Sequence, residues 1–410
     1  MAPYVLGLVI FIAVAVAGGL MWWNPHIEFH KAPASKKDMS RDEVFAHLQN
    51  HTILHLGGMH FTGLTLLAEA VSQSSDVAGM RHQEGSDRRK AHWVSDISND
   101  GIFLQSVYPK FGLDHKQFFF RKWVSKYAKK IFPQSMVEKS NWMTLRDGIG
   151  RFALHPDHRV NEKSSLVEPR AQVHLFSEWA LFWDLGKKVL LEKSHSNLVA
   201  SPFLHSLWGL DRTSSPARFV FLQRHPLALG LSTIRRAGRV VDDLSLEDII
   251  ANWLAGEERR VEDWRNYFEK YGVGKDAYRV MQFEDILADP RKALTELFEW
   301  LGVPAEESAL RFIQGKLSKD ANEKHFGLYC DHLVHGDHRV IDEHHRLVQR
   351  FRSRVLAVSS YDLAKVPQIC REVLLGETSS ASVPQNERSE VEAKLAEEEA
   401  AEAAMDGKKR

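Results

Sequence analysis

Three short stretches of this 410-residue chain hold residue types that could grip a phosphate. In HLGGMHFTGLTLL, Gly58 and Gly63 frame His60, Phe61 and Thr62, and Leu64 and Thr65 follow. That is the glycine spacing of a phosphate-binding loop. A glycine-rich turn between a strand and a helix aims successive backbone N–H groups at one point, and the helix N-terminus adds partial positive charge. Proteins that hydrolyse nucleoside triphosphates place a lysine after the second glycine to meet the β- and γ-phosphates. Leu64 stands there and cannot do so. The loop is therefore either a structural turn or the seat of a phosphate whose charge is met from elsewhere.

The second stretch is RFVFLQRHPLALGLST. Arg224 follows an apolar run, and Pro226 then opens a helix at a position that proline tolerates. Ser232 lies eight residues beyond Arg224, about two turns along that helix. A guanidinium and a hydroxyl so placed can chelate one phosphate; a surface salt bridge is the plainer role for such an arginine. The third stretch is VLLEKS, where Lys193 ends another apolar run beside Glu192. A lysine at a strand end can stabilise charge building on a leaving group. Its plain alternative is a solvated lysine.

These residues need elements to hold them. TILHLGG (52–58), KVLLEKS (188–194), RFVFLQR (218–224) and YRVMQFED (278–285) read as buried strands. GLTLLAEAVSQ (63–73), the long amphipathic stretch 246–268 and RKALTELFEWLG (291–302) read as helices, the last closed by Gly302. Strands alternating with helices predict an α/β fold, a parallel sheet sandwiched by helices. In such sheets ligands bind beyond the carboxyl ends of the strands, where all three stretches stand.

Whole-chain charge selects no partner, since Lys plus Arg and Asp plus Glu number 54 each. The N-terminus is more telling. Residues 4–23 carry no charge over 20 positions and end in Trp22 and Trp23, the length and aromatic edge of a membrane-spanning helix. A cleaved signal peptide competes, with a long apolar region and no preceding Lys or Arg. Lys31, Lys36, Lys37 and Arg41 follow the run, a bias that would keep the following domain cytoplasmic. Residues 24–48 read as a stem, 49–375 as the main domain and 376–410 as a Glu/Ala-rich tail. Cys330 and Cys370 are either one disulfide or two buried thiols, and Asn50-His51-Thr52 fits a glycosylation sequon.

In combination the stretches resemble the sulfotransferases that use 3′-phosphoadenosine 5′-phosphosulfate (PAPS). GGMHFTGLTLL is similar to their 5′-phosphosulfate loop, and FVFLQRHPLALGLST to their 3′-phosphate segment. VLLEKSHSN, NDGIFLQSVYP (99–109), RVMQFEDILADP and VSSYDL (358–363) resemble further blocks in family order, over roughly residues 50–365. The resemblance implies a nucleoside-triphosphatase-like fold that transfers a sulfuryl group without a metal. It implies that Gly58, His60, Phe61, Thr62, Gly63, Leu64 and Thr65 hold the 5′-phosphosulfate, and Arg224 and Ser232 the 3′-phosphate. Lys193 would sit near the bridging oxygen. Asp100 would be the base, with His60 and Glu84 as fallbacks. Three departures stand out. Phe61 occupies a place where relatives carry Arg, Lys or His; Leu64 replaces a small hydroxyl residue; Asp100 is one methylene shorter than their glutamate. Loss of a cation beside a charged transition state weakens turnover.

Anchored relatives face the Golgi lumen and sulfate glycans or protein tyrosines, which implies a lumenal domain against the charge bias. Residues 110–130 carry seven Lys or Arg interleaved with six aromatics, after the Asp100 stretch. Such a segment suits a saccharide, an acidic polymer or a membrane surface, and equally a helix with a wet basic face; no nucleic-acid motif accompanies it. Two other classes compete with a glycan or protein sulfotransferase. One is a non-catalytic nucleotide- or glycan-binding protein, favoured by Phe61. The other is a phosphoryl-transfer enzyme, with QFED as the nearest Mg²⁺-binding candidate.

Overall fold

A strand buried on both faces must be apolar along its whole length, and that requirement picks out the sheet. The computed structural model describes residues 38–80, 100–108, 160–210, 215–237, 245–317 and 323–375. Ser40 starts the first helix with a capping box, its hydroxyl accepting from the Glu43 N–H at 3.2 Å while the Glu43 carboxylate accepts from the Ser40 N–H at 2.7 Å. In chain order the elements are α1 (Arg41–Asn50), β1 (Thr52–Gly57), α2 (Leu64–Val71) and β2 (Val77–Gly79), then a 3-10 turn (Gly101–Leu104). There follow α3 (Pro169–Ala180), β3 (Val189–Lys193), α4 (Asn197–Trp208), β4 (Ala217–Gln223), α5 (Pro226–Ala237) and α6 (Leu246–Asp263). Next come α7 (Gly274–Ala277), β5 (Tyr278–Gln282), α8 (Phe283–Ala288), α9 (Pro290–Leu301) and α10 (Glu307–Lys316). The last helices are α11 (Glu323–Val334), α12 (His338–Val358) and α13 (Val366–Leu375).

All strand pairings are parallel, in the order β2-β3-β1-β4-β5. The period-2 alternation of each strand sends side chains to two separate cores. Leu54, Leu56, Val220 and Leu222 join α2, α9 and α10 on one face. Ile53, Leu190, Phe219 and Phe221 join the larger core under α4, α5 and α6 on the other, around the fully buried Trp179, Trp208 and Trp253. The same parity directs His55 of β1 and Glu192 of β3, which are register partners, into that larger core.

The expected strands and helices form with their ends shifted by a residue or two. One boundary is corrected. YRVMQFED is a strand only to Gln282, because Phe283 begins α8, whose first turn holds Glu284 and Asp285. Acidic residues favour a helix N-terminus, and Asp285 therefore does not end a strand as a Mg²⁺ ligand would. Residues 41–48, read as the last part of a stem, lie in α1, and their Val44 and Leu48 belong to the core. The expected end of α9 holds: Asp289 caps it through the Lys292 N–H at 2.9 Å, and Gly302 closes it at φ 73°. The long stretch 246–268 is α6 continued by a π-helical turn, Trp264–Glu269. Cys330 and Cys370 form a disulfide that joins α11 to α13.

Among the described residues no helix is long and apolar enough to cross a membrane. The charge-free run 4–23, most of the stem, Glu84, the basic and aromatic segment 110–130 and the tail 376–410 all lie outside the described residues.

Candidate active site

The carboxyl end of β1 is shaped by backbone. A Cβ on Gly58 would meet the Leu222 carbonyl oxygen at 2.6 Å, so only glycine lets the loop pass β4. Gly63 has φ 93°, and a Cβ there would lie 2.5 Å from the Phe283 ring. Between them Phe61 has φ 66°, a left-handed conformation that costs a bulky residue about 1–2 kcal/mol. Its surroundings hold it there. Arg224 donates from one guanidinium nitrogen to the Phe61 carbonyl at 2.7 Å, and the buried Thr62 hydroxyl donates to the Met59 carbonyl at 2.9 Å. Gly63 is the N-cap of α2 and supplies no side-chain acceptor to its first turn. Those N–H groups and the helix dipole are the elements of an anion seat.

The carboxyl end of β3 is shaped by side chains. The Lys193 ammonium is ion-paired with the Asp100 carboxylate, both nearly inaccessible, and the two residues also form a parallel bridge. Burial raises the Asp100 pKa to about 6; Lys193 opposes the rise, and the nearby charge of Glu192 adds to it. Beside them His195 contacts His60 ring to ring at 4.1 Å. His195 Nδ1 lies 2.9 Å from the Gly58 carbonyl oxygen, which can only accept, so Nδ1 carries the hydrogen and Nε2 presents a lone pair. Burial first, then His60 and Lys193, hold the His195 pKa well below the usual imidazole value. Burial and Lys193 likewise bring His60 down to about 4, and its Nε2 is buried without a hydrogen-bond partner. Both imidazoles are thus neutral near pH 7.

The carboxyl end of β4 carries Arg224, 5% exposed, with its guanidinium 4.9 Å from the centroid of the Phe283 ring. Next to it, the His225 N–H donates to Glu284 at 3.1 Å, and the Tyr361 hydroxyl donates to the other oxygen of that carboxylate. Pro226 then starts α5, which carries the buried Ser232. Behind the strand end, Glu257 accepts from Gln223 and from Arg260, each at 2.6 Å.

The structure thus brings Asp100 and Lys193 into direct contact, gathers Gly58 and residues 60–65 into one turn, and ties Arg224 to that turn. Ser232 stands two turns down α5. Sequence reasoning assigns no role to His195, Ser194, Glu192 or His55. One feature did point to them: a His and a Glu inside strands otherwise apolar must find partners when buried. The donor set fits an anionic nucleotide, because the loop amides, the α2 N-terminus, the Lys193 ammonium and the Arg224 guanidinium all offer hydrogens or positive charge. Among the described residues no group of three or more His, Cys, Asp or Glu is arranged to hold a metal ion.

A model of the sulfotransferase family matches residues 55–307. No curated protein matches the chain. Solved structures with some likeness include a sulfotransferase from Alicyclobacillus acidocaldarius (13% identical, covering 80% of this chain and 97% of that one, TM-score 0.33). Another is the sulfotransferase STF1 from Mycobacterium tuberculosis (12%, 70% and 79%, TM-score 0.36). A third is the sulfotransferase domain of the Synechococcus olefin synthase (16%, 71% and 84%, TM-score 0.33). With the family model spanning most of the sheet and all three strand ends, the chain belongs to the sulfotransferase family. It is an enzyme of sulfuryl transfer from PAPS.

Proposed function

We propose that the enzyme transfers the sulfuryl group to a hydroxyl or amine of a glycan or protein acceptor, with the residues of the three strand ends in distinct roles. When bound, PAPS supplies the electrophilic sulfuryl group and leaves as 3′,5′-ADP. The amides of residues 58–65 and the N-terminus of α2 hold its 5′ end, and Arg224 and Ser232 hold the 3′-phosphate. Lys193 stabilises negative charge on the departing oxygen. Two groups at the β3 end are competent to take the acceptor's proton: the Asp100 carboxylate, and His195 through Nε2. The observation that carries the reading is the convergence of Lys193, Asp100 and His195 against the loop that Arg224 pins.

The base is decided by pH. If Asp100 is the base, kcat/KM rises with pH through about 6. If His195 is, activity persists below that pH, because burial keeps the imidazole unprotonated. The function itself is tested by labelled-sulfate transfer from PAPS to a panel of glycans and tyrosine peptides, with thermal stabilisation by 3′,5′-ADP against ATP alongside. Stabilisation by ATP with Mg²⁺ in preference to 3′,5′-ADP would overturn it. Stabilisation by 3′,5′-ADP without transfer to any glycan or tyrosine peptide would overturn the acceptor class.

The charge-free run 4–23 supports a membrane anchor. The Cys330–Cys370 disulfide supports an oxidising compartment, hence a Golgi-lumenal domain despite the basic residues after the run. Protease protection in sealed vesicles tests this: digestion of the domain from outside overturns it. The basic and aromatic composition of residues 110–130 supports an acidic or saccharide acceptor.

A further inference from the structure

Glu192 follows the apolar Val189, Leu190 and Leu191 in β3 and is completely buried. Its carboxylate is met by four donors from four different parts of the chain. From β1, His55 Nδ1 lies 2.9 Å from Oε2. From the start of the 3-10 turn, the Gly101 N–H donates to Oε1 at 3.1 Å. From the segment after β3, the Ser194 hydroxyl donates to Oε1. From α4, Asn197 Nδ2 donates to Oε2 at 2.6 Å.

The hydrogens are fixed by what lies behind each donor. Trp208 Nε1 is only a donor and points at His55 Nε2 at 3.0 Å, so His55 is neutral and its hydrogen sits on Nδ1, facing Glu192. The Ser194 oxygen accepts from the Ile102 N–H at 2.9 Å, so its own hydrogen goes to Glu192. All four donors are satisfied by an acceptor-only, ionised carboxylate.

The elements gathered in this way are those that carry the chemistry. Asp100 immediately precedes Gly101, while Lys193, Ser194 and His195 follow Glu192 directly. Gly101 is fixed from its other side as well, because Trp179 Nε1 donates to its carbonyl at 2.9 Å. A Cβ on Gly101 would sit 2.4 Å from the Glu192 side chain, so the approach of this loop to the carboxylate requires glycine.

We propose that Glu192, oriented by His55, is the positioning residue of the active site: it holds the Asp100–Gly101 turn and the Lys193–His195 turn in one geometry. This rests on the sulfuryl-transfer roles assigned above to those turns. Glu192 is completely buried, its carboxylate turned to the four donors. It acts by fixing where Lys193, Asp100 and His195 point, and its charge feeds into the proton affinity of Asp100.

The test is Glu192→Gln in the full-length enzyme. The amide keeps the shape but turns an N–H₂ toward two of the four donors. Sulfate transfer is expected to fall in kcat by on the order of tenfold to a hundredfold, the cost of a misplaced catalytic group. The dissociation constant for 3′,5′-ADP should stay within about threefold, since the nucleotide's contacts lie on the 58–65 loop and α5. Glu192→Asp, which retains the charge, should recover part of the lost kcat. The proposal is overturned if Glu192→Gln keeps wild-type kcat, or if kcat, 3′,5′-ADP affinity and melting temperature collapse together, which is what a purely structural role would give. Should Glu192→Gln fail to fold, Ser194→Ala removes a single donor and leaves three. Severalfold loss of kcat with unchanged 3′,5′-ADP affinity then supports the proposal, and wild-type kcat overturns it. If wild-type protein neither binds 3′,5′-ADP nor transfers sulfate, the proposed function fails first and this inference with it.

Discussion

The carboxyl ends of β1 and β3 lie side by side in the sheet and solve the same problem differently. At the end of β1 the loop from Gly58 to Thr65 offers main chain: two glycines that nothing larger can replace, a phenylalanine forced to φ 66°, and a helix N-terminus with no side-chain cap. At the end of β3 every decisive atom belongs to a side chain, from the Lys193–Asp100 pair to the Glu192 carboxylate beneath it. The division follows from Phe61 and Leu64. A loop with no cation of its own can bind an anion through amides and dipole, but charge that grows during a reaction must be met from the neighbouring strand.

The largest expected effect breaks the backbone half. Gly63→Val places a branched Cβ against the Phe283 ring at a φ of 93°, where the ring and the backbone both resist. Loss of 3′,5′-ADP affinity by on the order of a hundredfold or more is expected by isothermal titration, with a lower melting temperature. An affinity near wild type would show that the loop does not seat the nucleotide. Arg224→Ala comes next. It removes a guanidinium that donates to the Phe61 carbonyl and faces the Phe283 ring. Hydrogen bonds to charged groups contribute about 1.5–3 kcal/mol, so the 3′,5′-ADP dissociation constant should rise roughly tenfold to a hundredfold. Unchanged affinity would remove the 3′-phosphate assignment.

Acid acts with opposite sign on the buried imidazoles and on Asp100. The folded-state pKa of His60 is about 4 against an ordinary 6.5, so the unfolded chain takes the proton first and stability is lost as pH falls below 6.5. His205 and His344, both near 4, His225, near 3, and His195 act in the same direction. Asp100, raised to about 6, acts oppositely: the folded state takes its proton first, and stability is gained as pH falls from about 6 towards 3.8. A fully buried imidazole of this kind costs about 2 kcal/mol by pH 5, and five outweigh one carboxylate. The melting temperature should therefore drop steadily between pH 7 and pH 5, and His60→Asn should flatten part of that slope. A flat profile would mean that these imidazoles are not buried neutral.

Much of this architecture was legible in the sequence, and the two ends differ in how much. Gly58, Gly63 and Arg224 stand where glycine spacing and strand ends predict, because their roles are local in the chain. Glu192 was read only as a neighbour of Lys193, and His55 as part of an apolar strand. Their partnership depends on β1 pairing with β3, two strands separated by more than a hundred residues, and on parity sending both side chains into one core. The disulfide was one of two readings open to the sequence, since whether Cys330 and Cys370 meet depends on how α11 packs against α13. The helical start at Phe283 was missed because the apolar alternation of β5 runs on into FED, whereas Glu284 is claimed by His225 and Tyr361.

Phe61→Gly gives the smallest effect and the sharpest view of the β1 end. Glycine relieves the left-handed strain, a gain of about 1–2 kcal/mol. It also loses the contact of the half-buried ring with His60, at 6.3 Å between centroids, and loosens the unfolded chain by about 0.5–1 kcal/mol. These terms oppose one another, so stability should change by less than about 1 kcal/mol. Affinity for 3′,5′-ADP should also stay within about threefold, because the carbonyl that Arg224 holds remains in place and no amide is lost. A tenfold or larger loss of affinity would mean that the Phe61 ring is itself part of the nucleotide seat, and the backbone account of this strand end would have to give way to one in which both ends bind through side chains.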